Sequence, residues 1–382
     1  MIYLDNAATT WPKPVSVTEA INKALTQFGA NPGRGGHLMS LRTSEQIYLC
    51  RETAAKFFSL NNPAGVIFTP SCTQAINMVL WGILQKGGTV LVSDMEHNAV
   101  MRPLFALSQQ RGVRVKTVPV DVWSPDKTVD NFRAATTADV RLIFCTHASN
   151  VFGSLLPIEQ LGHFARKKGI CFAVDAAQTA GVFEINPAEQ YIDFVCAAGH
   201  KGLYGPMGTG LLLCGGNFSL PAFVRGGTGS HSVDLEQPDF MPDRLESGTP
   251  NTAGICGLNA GMKFVMRRGI ANLYRQENAL IGHAFNRLSV CNVIELYSGF
   301  SCDIPLAPVL SFNIRGVNSE HTADFLNKQD IAVRAGLHCA PAAHKKFQTL
   351  DRGAVRVSVS AFNTIGQIDA FCNLLLVYAK RL

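Results

Sequence analysis

The chain reads as an α/β protein built on a mostly parallel, seven-stranded sheet flanked by helices, with a smaller α+β portion toward its C-terminal end. Three observations predict this. Short apolar runs alternate with amphipathic stretches through the first two-thirds of the sequence. Several of those runs are apolar without interruption, as strands covered on both faces must be. Beyond a turn-rich segment, 225–252, the order changes to long helices followed by isolated strands.

Taken in order, strands are expected at 66–69, 89–93, 113–120, 141–146, 170–175, 194–197 and 210–214, with helices at 44–58, 74–85 and 158–168 between them. After the turn-rich segment, helices are expected at 257–276 and 278–290 and strands at 309–314 and 355–359. This pattern divides the chain into an N-terminal segment, 1–15, that packs with the small domain, a large α/β domain, 16–252, and a small domain, 253–382. No internal repeat or low-complexity segment interrupts it.

Composition excludes several classes of protein. With 47% hydrophobic against 16% charged residues over 382 positions, the chain buries a large core and is not disordered. Its net charge of +6 suits an anionic ligand, but the cations are scattered and no block of five like charges occurs. Basic clusters interleaved with aromatics are missing, so no nucleic-acid partner is expected. The start, Met1-Ile2-Tyr3-Leu4-Asp5, is unlike a signal peptide, and no apolar stretch reaches the length of a membrane span; a cytoplasmic location is the expectation. Eleven cysteines contain no CxxC pair, which argues against metal binding. Cys145 and Cys214 sit in apolar runs, where a reduced cysteine packs as a small hydrophobe. Cys339 is different, because Gly336, His338 and Pro341 surround it and its segment has no helix or strand period.

The chemistry lies at strand ends, where open α/β sheets bind small molecules. Lys201, in Ala197-Ala198-Gly199-His200-Lys201-Gly202, follows Asp175 of Phe172-Ala173-Val174-Asp175-Ala176-Ala177-Gln178 by 26 positions. An amine that forms a Schiff base and a carboxylate that holds a pyridinium nitrogen are the side chains that pyridoxal phosphate (PLP) chemistry requires. Taken alone, Asp175 reads equally as half of a buried salt bridge. Ser71-Cys72-Thr73-Gln74 opens a helix whose N–H groups suit a phosphate, though a hydroxyl residue there also reads as a simple N-cap. His97, in Asp94-Met95-Glu96-His97-Asn98, lies in a loop position from which a ring can lie on an aromatic cofactor, or merely be solvated. The thiol of Cys339 beside His338, if exposed and acidic, adds sulfur chemistry on an amino acid. Gly205-Pro206-Met207-Gly208-Thr209-Gly210 runs into a strand and matches no nucleotide-binding loop.

These segments, together with Tyr3-Leu4-Asp5-Asn6-Ala7-Ala8-Thr9-Thr10, Asn31-Pro32-Gly33-Arg34-Gly35, Glu246-Ser247-Gly248-Thr249-Pro250-Asn251-Thr252 and Arg356-Val357-Ser358-Val359-Ser360-Ala361-Phe362-Asn363-Thr364, resemble the class V, fold type I PLP enzymes, and within them the cysteine desulfurases and selenocysteine lyases. The resemblance runs through essentially the whole chain. It implies that Lys201 is the Schiff-base lysine, that Asp175 pairs the pyridine nitrogen, that Gln178 bonds the phenolic oxygen and that His97 stacks on the ring. It implies phosphate contacts from Cys72, Thr73 and His200, a substrate or cofactor contact from Asn150, and a substrate-carboxylate clamp from Arg356 with Arg334. Gly227 and Thr228 would serve the phosphate of a neighbouring subunit, hence a homodimer. Arg334-Ala335-Gly336-Leu337-His338-Cys339-Ala340 resembles the shorter-loop group, whose relatives pass sulfur to a dedicated acceptor protein. In two places the chain departs from its relatives: Cys72 stands where they commonly carry threonine, and Ala198 where many carry serine. The implied activity is conversion of L-cysteine to L-alanine with a persulfide on Cys339, its ionisation favoured by His338 and a cationic site. Selenocysteine lyase, with L-selenocysteine as substrate, or another class V lyase or aminotransferase, is the alternative.

Overall fold

The computed structural model describes residues 1–32, 36–85, 87–297 and 304–381. The expected Gly33-Arg34-Gly35 segment and Cys302 lie outside them. In chain order the elements begin β1 (Ile2–Tyr3), α1 (Val15–Gln27), α2 (Leu38–Phe57), β2 (Val66–Thr69), α3 (Cys72–Ile83), β3 (Thr89–Ser93), α4 (Asn98–Arg111) and β4 (Arg114–Val118). Next come α5 (Pro125–Ala135), β5 (Val140–Thr146), α6 (Ile158–Lys168), β6 (Cys171–Asp175), β7 (Phe194–Ala198) and β8 (Gly210–Cys214). The chain ends with α7 (Thr252–Arg268), α8 (Ile270–Leu288), β9 (Ile294–Leu296), β10 (Val309–Ile314), α9 (Ser319–Asn327), β11 (Ile331–Ala332), α10 (Pro341–Lys346), β12 (Val355–Ser358) and α11 (Ile365–Ala379).

Seven strands form the main sheet in the order β2-β8-β7-β6-β5-β3-β4. Neighbours from β7 to β4 run parallel, and β8 alone is reversed, antiparallel to both β7 and β2. Alternate residues of each strand feed opposite faces. Leu91, Ile143, Val174 and Val195 pack with residues of α2, α5 and α6, while Val90, Val92, Leu142, Phe144 and Phe194 pack with residues of α3 and α4. Because both faces are covered, the middles of these strands carry apolar residues at successive positions. The small three-stranded sheet, β12-β10-β9, is antiparallel and buries Leu310, Phe312, Val355 and Val357 against residues of α8 and α11. β1 pairs in parallel with β11, so the first residues of the chain add to the C-terminal part.

Several boundaries differ from expectation for identifiable reasons. The helix expected from 44 starts six residues earlier, capped by His37, whose Nδ1 accepts from Ser40 N–H at 3.2 Å. The break expected at 277 falls at Gly269, whose φ of +79° ends α7 as a residue with a side chain would resist. The strand expected to reach 120 stops at Val118, since Pro119 has no N–H to continue the ladder. The loop expected after β3 is short, residues 94–97, and runs directly into α4 at Asn98. Helix α7 also buries Ile255, Leu258 and Met262 in the core of the main sheet.

Candidate active site

Four strand ends and one helix start converge at the C-terminal edge of the parallel strands. Register places Thr146 beside Asp175 and Asp175 beside Cys196, while Ala198 and Thr69 both pair with Gly210. Asp175 is 4% exposed. Its Oδ1 accepts from Ala177 N–H at 2.9 Å and from the Cys72 thiol at 3.5 Å, and among the described residues it makes no salt bridge. The ion-pair reading left open by the sequence is therefore not realised within the protomer. Cys72, expected at a phosphate, directs its sulfur to this carboxylate.

Lys201 sits on a tight turn after β7 that packs backbone against backbone on residues 180–182. A Cβ at Gly181 would stand 2.1 Å from the Gly202 carbonyl oxygen, so glycine is obligatory at this crossing. Thr9, Thr10 and Lys13 hold the turn from the N-terminal segment by donating to the His200 carbonyl, with Thr10 also reaching the Lys201 carbonyl. Burial lowers the pKa of the Lys201 amine, opposed by the charge of Asp175 and reinforced by Arg356. That combination favours an uncharged, nucleophilic nitrogen.

Lys201, Asp175, His97, Gln178, His200, Cys72, Thr73 and Asn150 all line one cavity of about 110 Å³. Its donors fit PLP. The α3 N-terminus, capped by Ser71 Oγ accepting from Gln74 N–H at 3.2 Å, faces it with a row of backbone N–H groups. Buried His200 Nδ1 has no hydrogen-bond partner among the described residues, so it remains available to an anion's oxygen or hydroxyl. Burial, then the charges of Lys201 and Lys13, push that imidazole down to about 4, so it is neutral. Gln178 Nε2 donates to the Ala7 carbonyl at 3.1 Å with one of its two hydrogens, leaving the other for a ligand oxygen.

His97 is the last residue of the loop before α4 and caps that helix, its Nδ1 accepting from Ala99 N–H at 3.0 Å. The neutral ring therefore carries its proton on Nε2, and burial lowers its pKa. Next to it in the chain is Glu96, whose part the sequence did not suggest. Its carboxylate accepts from Ser93 Oγ and from Thr146 N–H at 2.9 Å, tying the ends of β3 and β5 together. Burial pushes it up to about 8. An acid directly after an apolar strand is the signal that could have marked it.

The Cys339 loop abuts this cavity. His338 and Cys339 both take left-handed backbone, at φ +50° and +57°, a strained pair for residues with side chains. Two hydrogen bonds from the cavity rim hold it: Asn98 N–H donates to the Cys339 carbonyl at 2.7 Å, and Asn150 Nδ2 to that of His338 at 2.8 Å. An ion pair between Lys346 and Asp94, 2.8 Å, secures the helix that follows. The thiol residue is exposed. His338 corrects one expectation. Its ring turns inward, stacked on His344, with Nδ1 3.4 Å from His344 Nε2 and His344 Nδ1 2.7 Å from Thr349 Oγ1. Burial, with Arg356 nearby, drives it down to about 2, so it supplies no cation to ionise Cys339.

Arg356, on β12, is only 2% exposed. Its Nη1 donates to the Asn150 carbonyl and its Nη2 to Asp5 Oδ1, both at 2.8 Å, while Nε has no partner among the described residues. The fork expected to be free for a substrate carboxylate is thus partly committed, and Asp5 is a second residue whose part was not read from the sequence. Arg334 is exposed and pairs with Arg356 through the backbone. Thr228 stands apart: it lines a larger cavity, about 680 Å³, with Arg51 and Glu246, and Gly227 accepts there from Gly248 N–H. Neither residue joins the Lys201 cavity of its own protomer.

With this geometry, the chain matches the family model described as aminotransferase class-V over residues 2–371. A protein named probable cysteine desulfurase from Methanothermobacter thermautotrophicus is 32% identical, the match covering 96% of this chain and 92% of that one. The apo cysteine desulfurase of Thermococcus onnurineus superposes with a TM-score of 0.91 at 29% identity, covering 100% and 95% of the two chains. The cysteine desulfurase CsdA of Escherichia coli, in an S-sulfonic acid form, gives 0.88 at 28% identity over 99% and 94%.

Proposed function

The chain belongs to the aminotransferase class-V family, whose members are PLP enzymes, and from that premise we propose that it is a PLP-dependent cysteine desulfurase. One observation carries the reading. Cys339 is tied by its own carbonyl to Asn98 N–H, one residue from His97, on the rim of the cavity that holds Lys201 and Asp175 together.

PLP, when bound, supplies an electron sink that acidifies the substrate Cα–H and weakens the bond from Cβ to sulfur. Lys201 holds the cofactor and, once released, takes the α-proton on Nζ, whose pKa burial lowers. Asp175, whose Oδ2 makes no hydrogen bond among the described residues, would hold the ring nitrogen. His97, which lines the cavity with its proton on Nε2, would lie against the ring and could return a proton to the substrate. His200, Thr73 and the α3 N-terminus receive the phosphate, and Gln178 the phenolic oxygen. Arg356 takes the substrate carboxylate through Nε and the N–H groups not used by Asp5 and Asn150, assisted by Arg334. The Cys339 thiolate attacks the substrate sulfur. A sulfur–sulfur bond forms, the Cβ–S bond breaks with its electron pair going to carbon, and protonation there gives alanine, so that thiol plus cysteine becomes persulfide plus alanine.

The resemblance extends this to two partners: an acceptor protein that collects the persulfide, and a second copy of the chain whose site receives Gly227 and Thr228. The placement of Thr228 away from Lys201 supports the dimer. For the domain division at 252, we propose that α7 is the strut between the two parts, since it packs on the main sheet. The test is borohydride reduction of the PLP-loaded protein followed by peptide mapping, with alanine followed from L-cysteine and L-selenocysteine. A reduced pyridoxyl group on Lys201 and Cys339-dependent alanine from L-cysteine support the reading. Alanine released only from L-selenocysteine points to the lyase, and no pyridoxyl group on Lys201 overturns both.

A further inference from the structure

Cys72 opens α3 inside the cavity, yet its sulfur lies 3.5 Å from Asp175 Oδ1 and only 8% of the residue is exposed. The same oxygen accepts from Ala177 N–H at 2.9 Å, and Oδ2 has no hydrogen bond among the described residues. Burial, and then the charge of Asp175, push the thiol well above its usual range, so the sulfur keeps its hydrogen and donates. A hydroxyl at this separation would be out of range, since O–H to oxygen bonds close at about 3 Å or less. The larger sulfur atom spans the gap.

We propose that Cys72 is a positioning residue for Asp175: its S–H and the Ala177 N–H together fix Oδ1, which leaves Oδ2 for the ring nitrogen of the cofactor. This rests on the PLP reading above and adds to it. The thiol acts on the nitrogen end of the cofactor through a carboxylate, rather than on the phosphate end where its place at the helix start would put it. Deleting the donor then weakens PLP binding through the pyridine nitrogen alone.

The experiment measures dissociation constants of the apo protein for PLP and for its 1-deaza analogue, in which carbon replaces the ring nitrogen. Cys72→Ala is expected to weaken PLP about fivefold, the equivalent of one neutral hydrogen bond, and to leave the deaza analogue within about twofold. Cys72→Ser, whose shorter arm leaves its hydroxyl out of range of Oδ1, is expected to lose as much PLP affinity as Cys72→Ala. Equal weakening of both cofactors would mean that the substitution only opens a void at the helix start, and the proposal fails; unchanged PLP binding in Cys72→Ala overturns it too. A parent protein that binds neither cofactor refutes the underlying PLP reading instead, and is recognised before any variant is compared.

Discussion

Asp5→Asn removes one charge from a pair that is almost out of water. Arg356 is 2% exposed in its side chain and Asp5 20%, with Nη2 and Oδ1 2.8 Å apart. Breaking a buried pair from one side costs about 3–5 kcal/mol, because the remaining ion stays desolvated. The one-fifth exposure of Asp5 lets solvent screen that end, and asparagine still offers Nη2–H a carbonyl, so the lower limit applies, about 3 kcal/mol. For a chain of this length the unfolding entropy is about 0.8 kcal/mol per degree, which makes the shift in Tm about 4 °C downward. The assay is thermal melting of the apo protein followed by steady-state kinetics with L-cysteine. Because the guanidinium loses the partner that aims it, KM is expected to rise with little change in kcat. A Tm within 1 °C of the parent together with an unchanged KM would refute the assignment of Asp5 as the residue that holds Arg356.

Three more outcomes are expected. Glu246→Ala leaves Arg51 as a buried cation without its two-pronged partner, at 2.9 and 2.8 Å, and also strips Phe68 N–H of its acceptor at 2.7 Å; denaturation should show a loss of about 4 kcal/mol. His147 is buried with an unpartnered Nδ1 and is held neutral, its pKa lowered to about 3 by burial. Below its unfolded value of about 6.5 the unfolded chain binds a proton that the fold refuses, so this residue's contribution to stability falls as pH drops. A non-titrating His147→Leu, compared with the parent, should gain about 2 kcal/mol in relative stability between pH 7 and pH 5 in paired melts. Cys339→Ala keeps both backbone hydrogen bonds of its loop, so PLP affinity by titration should stay within about twofold while alanine release from L-cysteine disappears.

The strands were legible because a strand covered on both faces reads as an uninterrupted apolar run: 66–69, 89–93, 210–214 and 309–314 lie where those runs put them. The helices α1, α4 and α11 were not, since propensity alone does not separate such stretches from loops. His97 shows the consequence. It ends the loop expected there and also caps α4, and only the capping bond reveals which ring nitrogen is protonated. The gathering of Lys201, Asp175, Gln178 and His200 follows from strand order, which motifs at strand ends anticipate. The bonds from Asp5 to Arg356 and from Cys72 to Asp175 join residues 351 and 103 positions apart. No local pattern encodes such pairs. The inward turn of His338 depends on His344 and Thr349, a buried chain that a histidine beside a cysteine does not announce.

The most direct test of sulfur transfer at this site is the mass of the Cys339 peptide after the PLP-loaded protein has met L-cysteine with no acceptor present. One added sulfur atom on Cys339, absent when Lys201 is replaced by alanine, is the expected result. Alanine produced at the parent rate with Cys339 unmodified, or the added sulfur found on another cysteine, would contradict it.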